Sequence, residues 1–198
     1  MTDNTLIFAT GNPNKVKEVK AILDGHIEVK SMKEIGCTDD IPETSPTLEG
    51  NAILKANYLK EHYKVDCFSE DTGLEIESLN GEPGVYSARY GGDNTNANKN
   101  MELVLSKLEG IENRKAQFRT VIALIQKGQT HLFEGIVKGH ISTEKSGHQG
   151  FGYDPIFVPD GYDISFAEMD SNTKNKISHR GQAIRKLTHF LINGPEKQ

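Results

Sequence analysis

Strand-like and helix-like segments follow one another along this chain in an order that only a few folds can accommodate. Residues 6–10 (LIFAT) are apolar and predict a short buried strand. Gly11, Asn12 and Pro13 follow at once and predict the start of a helix, because Asn favours the N-cap and Pro favours the first helical position. A strand that leads directly into a helix is typical of proteins in which helices pack on a sheet.

The rest of the chain extends this alternation and then adds hairpins. The pairs Asn80-Gly81 and Lys127-Gly128 each follow a predicted strand, and both predict hairpin turns. Helices that alternate with strands, followed by hairpins, predict the α/β class with a mixed sheet flanked by helices. No linker interrupts residues 1–198, so we expect a single domain. The further predicted elements are helices at 45–63, 96–108 and 178–192, strands at 65–69, 74–79, 118–126 and 130–141, and loops at 36–47 and 146–163.

Composition and charge exclude several classes of partner. The net charge is −5 and the isoelectric point is about 5.8, which argues against non-specific binding to nucleic acid or to a membrane surface. The longest apolar run, residues 121–125, is too short to cross a bilayer, and the N-terminus lacks the pattern of a signal peptide. Two distant cysteines suit a reducing compartment. We therefore expect a cytoplasmic protein.

Residues 10–15 (TGNPNK) form a candidate anion site. At the start of a helix, backbone N–H groups and the helix dipole favour a negative charge. The side chains of Thr10, Asn12 and Lys15 add further donors. The glycine and lysine spacing of a P-loop is missing. A well-capped helix with a surface lysine explains the same residues, and it is the simpler explanation of this segment alone.

Two adjacent acids, Glu70 and Asp71, stand at the end of an apolar segment, and Thr72 and Gly73 follow them. We expect a tight bend here, on which the two carboxylates point in different directions. Mg²⁺ prefers one or two carboxylates together with phosphate oxygens and water. One acid could therefore serve a metal and a triphosphate while the other braces the chain. A polar turn between two strands is the alternative.

The second predicted helix offers another charged group. Asn51 and Lys55 are four residues apart on it and therefore share a face. Lys55 could point to the same anion as Lys15, and Glu43, just before the helix, could turn toward that site. A solvated polar stripe explains these residues as well.

The C-terminal half contains candidates for binding a nucleotide base. Residues 150–155 (GFGYDP) alternate glycine with aromatic residues, and stacking of a ring on a base contributes about 1–3 kcal/mol. Lys174, His179 and Arg180 lie near a predicted helix start and can donate to carbonyl oxygens on a base edge. Rings that fill the edge of the core, and a solvated Arg180, are the alternatives.

Six segments in order resemble one family: FATGNPNKVKEV, NAILKA, SEDTGLEI, PGVYSARY, GFGYDPIF and KISHRGQAI. Over essentially its whole length the chain is similar to the inosine triphosphate pyrophosphatase family, the dITP/XTP pyrophosphatases that clear deaminated purine nucleotides. The resemblance implies an elongated mixed sheet flanked by helices, two lobes with a central cleft, and a homodimer. Gly50 departs from the pattern, since some relatives carry Glu there.

The resemblance also implies a reaction and the residues that perform it. The implied reaction is the Mg²⁺-dependent hydrolysis of ITP, dITP and XTP to the monophosphate and pyrophosphate, which keeps these nucleotides out of DNA and RNA. Asp71 is the implied catalytic proton acceptor; Glu43 and Asp71 are the implied metal ligands, and Glu70 is a candidate for a third. The implied substrate contacts are Thr10, Gly11, Asn12, Pro13, Asn14, Lys15, Lys55 and Thr72, the base-binding loop Phe151, Gly152, Tyr153 and Asp154, and Lys174, His179 and Arg180 around the purine 6-oxo edge.

Two other functions compete with this interpretation. A non-catalytic nucleotide-binding module would bind without turnover and would need no metal-holding acids. A pyrophosphatase like those of the Maf family would act on modified pyrimidines. The aromatic loop at residues 150–155 and the basic residues Lys174, His179 and Arg180 favour purines.

Overall fold

The computed structural model of the chain describes residues 5–25, 27–92 and 96–194. The helices are α1 Pro13–Leu23, α2 Leu48–Tyr63, α3 Ala97–Lys107, α4 Ser171–Ile177 and α5 His179–Asn193. The strands are β1 Thr5–Phe8, β2 Glu28–Ser31, β3 Cys67–Ile76, β4 Pro83–Gly84, β5 Lys115–Gln126, β6 Gln129–Ile141 and β7 Phe157–Pro159.

The described strands form one mixed sheet. Its order is β2-β1-β3-β5-β6-β7, and β4 pairs with β3 outside this path. β1 runs parallel to β2 and to β3, whereas the β3–β4 and β6–β7 pairs are antiparallel. Parallel pairs come from the strand–helix alternation at the start of the chain, and the two antiparallel pairs come from later segments in which the chain reverses direction without an intervening α-helix. The predicted α/β class with a mixed sheet is confirmed.

The β1–α1 junction has the predicted local chemistry. Asn12 is the N-cap of α1, its side-chain oxygen accepts from the N–H groups of Asn14 and Lys15, and Pro13 occupies the start of the helix. The turn between β5 and β6 is confirmed as well, since Lys127 and Gly128 both have positive φ (50° and 78°), as a two-residue hairpin turn requires.

The bend predicted at Thr72 and Gly73 is wrong, because β3 continues without interruption through both residues. The predicted strands 65–69 and 74–79 are therefore one strand, Cys67–Ile76. The glycine has a different purpose: a Cβ on Gly73 would lie 2.7 Å from the carbonyl oxygen of Gly84, so β4 can pair this closely only with a residue that lacks a side chain.

Two further predictions are corrected near the C-terminus. The predicted loop 146–163 contains the short strand β7, and a separate helix, α4, precedes the predicted final helix, which begins at His179. Asp170 caps α4 by accepting from the N–H of Thr173. The sequence of α4, SNTKNKI, has no apolar stripe, so hydrophobic periodicity could not indicate it.

The chain divides into two compact units, each with its own apolar core. The first comprises Met1–Asp71, Thr120–Gly135 and Arg180–Gln198, and the second comprises Thr72–Arg119 and Ile136–His179. In the first, Phe8 stacks on Phe68 at a centroid distance of 4.6 Å, among buried side chains of α1 and α5. In the second, Phe118, Phe157 and Phe166 form an aromatic cluster. Within the described ranges, no helix has the length and apolar character needed to span a membrane.

Candidate active site

Strand β3 positions the two adjacent acids. Successive side chains of a strand point to opposite faces. Cys67 and Ser69 donate to carbonyl oxygens of α2, and Asp71 faces the same helix. Phe68 and Glu70 point the other way, toward α1 and α5. The two carboxylates therefore point in different directions, as predicted. The cause is the alternation of side chains along a continuous strand, whereas the prediction had assigned it to a bend.

Asp71 on β3 contacts a compact polar set made of Asn51 and Lys55 on α2, with Glu43 from the loop before that helix. Its Oδ1 atom lies 3.2 Å from Lys55 Nζ, and its Oδ2 atom accepts from Asn51 Nδ2, also at 3.2 Å. Lys55 Nζ also contacts Glu43 Oε1. The side chains of Asp71 and Lys55 are only 7% and 9% exposed. One buried ammonium group is thus shared by two carboxylates.

This environment changes both pKa values. Burial raises the pKa of Asp71; the nearby Lys55 opposes the rise, and the negative charge of Glu43 adds to it. For Lys55, burial lowers the pKa, but the charges of Asp71 and Glu43 outweigh burial and the pKa is raised. Lys55 is therefore a permanent cation, and Asp71 is a stronger proton acceptor than an ordinary aspartate.

The donor set fits a divalent cation that is shared with a substrate. Glu43 and Asp71 come from different segments, yet their oxygens converge on the single ammonium of Lys55. Among the residues that the structure describes, no three His, Cys, Asp or Glu side chains form a metal-binding group. Mg²⁺ needs only one or two protein carboxylates when phosphate oxygens and water supply its other ligands. The pair fits such an ion better than it fits a closed site made of protein ligands alone.

Glu70 lies in a second buried ion network. Its two carboxylate oxygens accept from Nε and Nη2 of Arg180, both at 2.8 Å, and Lys15 Nζ lies 3.1 Å from Oε1. Arg180 Nη1 also donates to Glu18 Oε2 at 2.5 Å. Burial acts to raise the pKa of Glu70, but Arg180 and Lys15 outweigh it and hold that pKa well below its usual range.

Glu70 and Arg180 form a buried ion pair that connects secondary-structure elements. Both side chains are almost fully buried, at 1% and 2% exposure. The bidentate pair joins β3 to α5, and Glu18 joins it to α1. The metal-binding role of Glu70 and the purine-edge role of Arg180 stay predictions.

The predicted phosphate segment lies at the end of β1 and in the first turn of α1. Thr10 Oγ1 accepts from the N–H of Asn12 at 3.2 Å, and Asn12 Oδ1 accepts from the N–H groups of Asn14 and Lys15 at 2.9 and 3.4 Å. The exposed Gly11 has open space around it. The side chain of Lys15 remains 17% exposed although it contacts Glu70. A positive charge therefore stands beside the helix start, where an anion is favoured.

The predicted base-binding residues form a separate set in the second unit. Asp154 Oδ2 accepts from Lys174 Nζ at 2.7 Å and from the N–H of Phe151 at 2.8 Å. The Lys174 ammonium lies 5.2 Å from the centre of the Phe151 ring and 5.7 Å from that of Phe166. A Cβ on Gly150 would lie 2.0 Å from Asp154 Oδ2, so glycine is needed for this loop to close on the aspartate.

The remaining predicted residues have different degrees of exposure. His179 is buried and stacks on Phe118 at a centroid distance of 4.6 Å. Tyr153 is buried, and its hydroxyl donates to the carbonyl of Ser87 at 2.7 Å, so this ring anchors the loop. Phe151 and Thr72 are half-buried. Phe151 is therefore the ring of this loop that keeps part of its surface accessible.

Sequence patterns did not indicate two residues of these sets, Glu18 and Phe166, or the bond that Asn51 makes. Glu18 shares a face of α1 with Lys15, three residues away, and that spacing was a usable signal. Asn51 was placed on the face of Lys55, but its bond to Asp71 joins residues 20 positions apart. Phe166 lies beside Lys174 only through tertiary packing, which no local pattern indicates.

The protein is therefore of the mixed α/β class. It has a buried set in which Lys55 contacts two carboxylates, and a separate Lys174–Asp154 pair next to aromatic rings. Residues 6–190 match the model of the Ham1 family. The dITP/XTP pyrophosphatase of Christiangramia forsetii is 53% identical over 186 residues, which cover 94% of this chain and 98% of the relative. That of Porphyromonas gingivalis is 52% identical over 188 residues, covering 94% and 97%.

Solved structures agree with the sequence comparison. The Ham1 protein of Staphylococcus aureus matches with a TM-score of 0.87 and 38% identity, covering 96% of this chain and 100% of that one. The HAM1 protein of Coxiella burnetii matches with a TM-score of 0.87 and 36% identity, covering 96% and 98%. The chain belongs to the Ham1 family, which confirms the family resemblance drawn from the motifs.

Proposed function

We propose that this chain is a Mg²⁺-dependent nucleoside-triphosphate pyrophosphatase that hydrolyses the deaminated purine nucleotides ITP, dITP and XTP. The products are the nucleoside monophosphate and pyrophosphate. The observation that carries the proposal is the buried set in which Asp71 and Glu43 share the ammonium of Lys55. Relatives that are more than 50% identical over more than 90% of the chain are named dITP/XTP pyrophosphatases, which supports the hydrolysis of non-canonical purine triphosphates.

The triphosphate is neutralised by the cations of the first unit. Lys15 and Lys55 supply positive charge, and residues 10–14 supply the helix start, where an anion is stabilised. Thr72, directly after Asp71 on β3, adds a hydroxyl contact to the substrate. Positioning and electrostatic stabilisation supply most of the catalysis in reactions of this kind.

Glu43 and Asp71 are the residues that would hold Mg²⁺, with Glu70 as a further candidate. When bound, the ion neutralises phosphate charge and lowers the pKa of a coordinated water. The carboxylates of Glu43 and Asp71 already converge on one cation, the Lys55 ammonium, which supports this assignment.

Asp71 accepts the proton of the attacking water. The water oxygen forms a bond to the α-phosphorus while the bond from that phosphorus to the oxygen bridging to the β-phosphorus breaks. Pyrophosphate leaves with that bridging oxygen and its electron pair, and the water proton moves to Asp71. The raised pKa of Asp71 favours this transfer, because a more basic carboxylate is a better proton acceptor.

Base selection belongs to the second set of residues and to Arg180. Phe151 stacks on the purine, while Lys174, His179 and Arg180 donate toward the 6-oxo group that inosine and xanthine carry. Adenine presents an amino group at that position, so a hydrogen-bond donor of the base would face the donors of the protein and no bond could form. A site that leaves polar groups unpaired can discriminate by roughly 10⁴-fold. Asp154 keeps Lys174 and the Phe151 backbone in place.

The cellular role follows from the proposed reaction. Hydrolysis of deaminated purine nucleotides removes them before polymerases incorporate them into DNA or RNA. The family resemblance also supports a homodimer, and the composition of the chain supports a location in the cytoplasm.

The test is a nucleotide panel with two phosphate readouts. Purified protein is incubated with Mg²⁺ and ITP, dITP, XTP, ATP, GTP or modified pyrimidine triphosphates, and pyrophosphate and orthophosphate are measured separately. We expect pyrophosphate from the deaminated purines and its loss when a chelator removes Mg²⁺. Binding without turnover would support a non-catalytic module, and preference for modified pyrimidines would support a Maf-like enzyme; either result contradicts the proposal.

A further inference from the structure

One buried amide on α2 has an unusual pair of partners. Asn51 is 0% exposed and lies in the first turn of the helix. Its Nδ2 donates to Asp71 Oδ2 at 3.2 Å, and its Oδ1 accepts from the N–H of Ser45 at 2.8 Å. Burying an amide costs free energy unless its groups are hydrogen-bonded, and here both ends are.

The two bonds fix the orientation of the amide. A backbone N–H can only donate, so the carbonyl end of Asn51 must face Ser45, which turns the amino end to Asp71. Aspartate at this position would keep the acceptor and lose the donor. Alanine would lose both. Asparagine is therefore matched to a strand carboxylate on one side and to a loop backbone on the other.

The loop held by this amide is the one that carries Glu43. Ser45 lies two residues after Glu43, and α2 also holds the start of the loop, since Tyr58 and Tyr63 donate to Asp39 at 2.9 and 3.4 Å. Glu43 is therefore placed between two attachments to the same helix.

The Asp71 carboxylate is fixed on both oxygens from the same helix. Lys55 contacts Oδ1 and Asn51 donates to Oδ2, and the two residues stand one turn apart on α2. Gly50, next to Asn51, lets the loop approach closely, because a Cβ there would lie 1.9 Å from Ser45 Oγ. The helix thus sets the position of both acids.

We infer that Asn51 is a positioning residue of this site: its single amide sets the orientation of the Asp71 carboxylate and the distance of the Glu43 loop from it. The inference deepens the proposed function and rests on it. Asn51 acts through Asp71, whose carboxylate it orients, and through the loop that carries Glu43.

The test compares Asn51→Ala and Asn51→Asp with the control Thr47→Ala. Thr47 caps the same helix by accepting from the N–H of Gly50, and its hydroxyl also lies 3.3 Å from Ser45 Oγ. Its loss therefore weakens α2 and the side-chain contact of Ser45 but leaves the Asn51 amide and its two bonds in place. We measure kcat and KM for dITP with Mg²⁺, and separately the hydrogen exchange of the Ser45 amide without nucleotide or metal.

Both Asn51 variants are expected to lower kcat by roughly 10–100-fold with little change in KM, because a misplaced catalytic group lowers the rate. The Ser45 amide should lose its protection from exchange in Asn51→Ala and keep it in Asn51→Asp, which retains the acceptor. Thr47→Ala should keep kcat close to that of the wild type. If Asn51→Ala fails to fold, Asn51→Asp, which has nearly the same shape, supplies the comparison.

Three results would overturn the inference. One is a kcat in Asn51→Asp equal to that of Thr47→Ala. Another is a change confined to KM, which would place Asn51 in substrate binding. The third is a protected Ser45 amide in Asn51→Ala. A wild-type protein that releases no pyrophosphate would contradict the proposed function instead, and the exchange measurement would still decide whether Asn51 holds the loop.

Discussion

At the scale of single residues, Glu70 and Asp71 are neighbours on one strand whose pKa values move in opposite directions. Glu70 meets Arg180 and Lys15 and keeps its charge, whereas burial and Glu43 make Asp71 more basic despite Lys55. Environments that separate the pKa values of two acids assign them different tasks. Glu70 is suited to hold structure, and Asp71 to accept a proton.

Replacing Asp71 with Asn is expected to reduce turnover of dITP by about 10²–10⁴-fold, the usual contribution of a general base. The amide cannot accept the water proton, but it has nearly the same shape as the carboxylate. Nucleotide binding should therefore remain measurable by calorimetry. Turnover close to that of the wild type would contradict the assignment of Asp71.

The same variant tests the direction of the pKa shift. The pKa of Asp71 in the folded protein lies above the ordinary value of 3.8. Protonated Asp71 therefore stabilises the fold fully below pH 3.8, and this stabilisation is lost as the pH rises through the folded pKa. Asn cannot ionise, so the variant does not lose stability in this way. The melting temperature of the variant should therefore rise relative to that of the wild type between acidic and neutral pH, and a fall over that range would contradict the shift.

Replacing Glu70 with Gln is expected to destabilise the fold by about 3 kcal/mol, because breaking a buried ion pair leaves a charge poorly compensated. Arg180 is only 2% exposed and contacts the carboxylates of Glu70 and Glu18. In the variant it would lose the charge of Glu70 and keep that of Glu18. Urea unfolding at neutral pH measures the change in free energy.

The control for this change is Glu82→Gln, which removes the exposed carboxylate that accepts from Lys107 at 2.7 Å. Exposed pairs contribute little, so the control should differ little from the wild type. The lowered pKa of Glu70 means that its stabilisation is present above pH 4.5 and is lost as the pH falls. The difference between wild type and Glu70→Gln should therefore shrink below pH 4.5; a constant difference would contradict an ionised Glu70.

At the scale of elements, α2 is the helix that places Glu43, Lys55 and Asp71 together, and its first turn contains Gly50. In a helix, Gly→Ala usually stabilises by about 0.5–1 kcal/mol. Here the new Cβ would lie 1.9 Å from Ser45 Oγ and 2.7 Å from Ser45 Cβ. Overpacking costs about 1–3 kcal/mol, so we expect Gly50→Ala to destabilise the protein, as measured by urea unfolding.

A double variant identifies the cause of that loss. In the Ser45→Gly background the two closest atoms are absent and Thr47 Oγ1, 3.1 Å from the new Cβ, is the remaining close contact, so the destabilisation by Gly50→Ala should become much smaller. A stabilising effect in the wild-type background would mean that the loop does not pack against α2 as closely as described.

Elements with local signals were the predictable ones. Asn12 and Pro13 specify the start of α1 by their own chemistry, and Lys127-Gly128 specifies a turn. The continuity of β3 was not predictable, because a glycine after polar residues usually indicates a bend. Here Gly73 instead allows the backbone of β4 to approach closely. Helix α4 was not predicted, because its sequence has too few apolar residues to produce a helical pattern.

At the scale of the whole molecule, motifs located the candidate residues but not their partners. Asp71 and Lys55 were assigned from short segments, and the structure joins them directly. The bond between Glu70 and Arg180 spans 110 positions, and no local spacing indicates such a pair. Sequence therefore indicated which charged residues to examine but not which of them contact one another.

The proposed reaction requires that water attacks the α-phosphorus of a deaminated purine triphosphate. Turnover of dITP in ¹⁸O-labelled water, followed by mass spectrometry of both products, shows which phosphorus the water attacks. We predict one ¹⁸O atom per turnover in the monophosphate and none in pyrophosphate. Label in pyrophosphate or in orthophosphate would contradict the mechanism, because the water would then have attacked a different phosphorus.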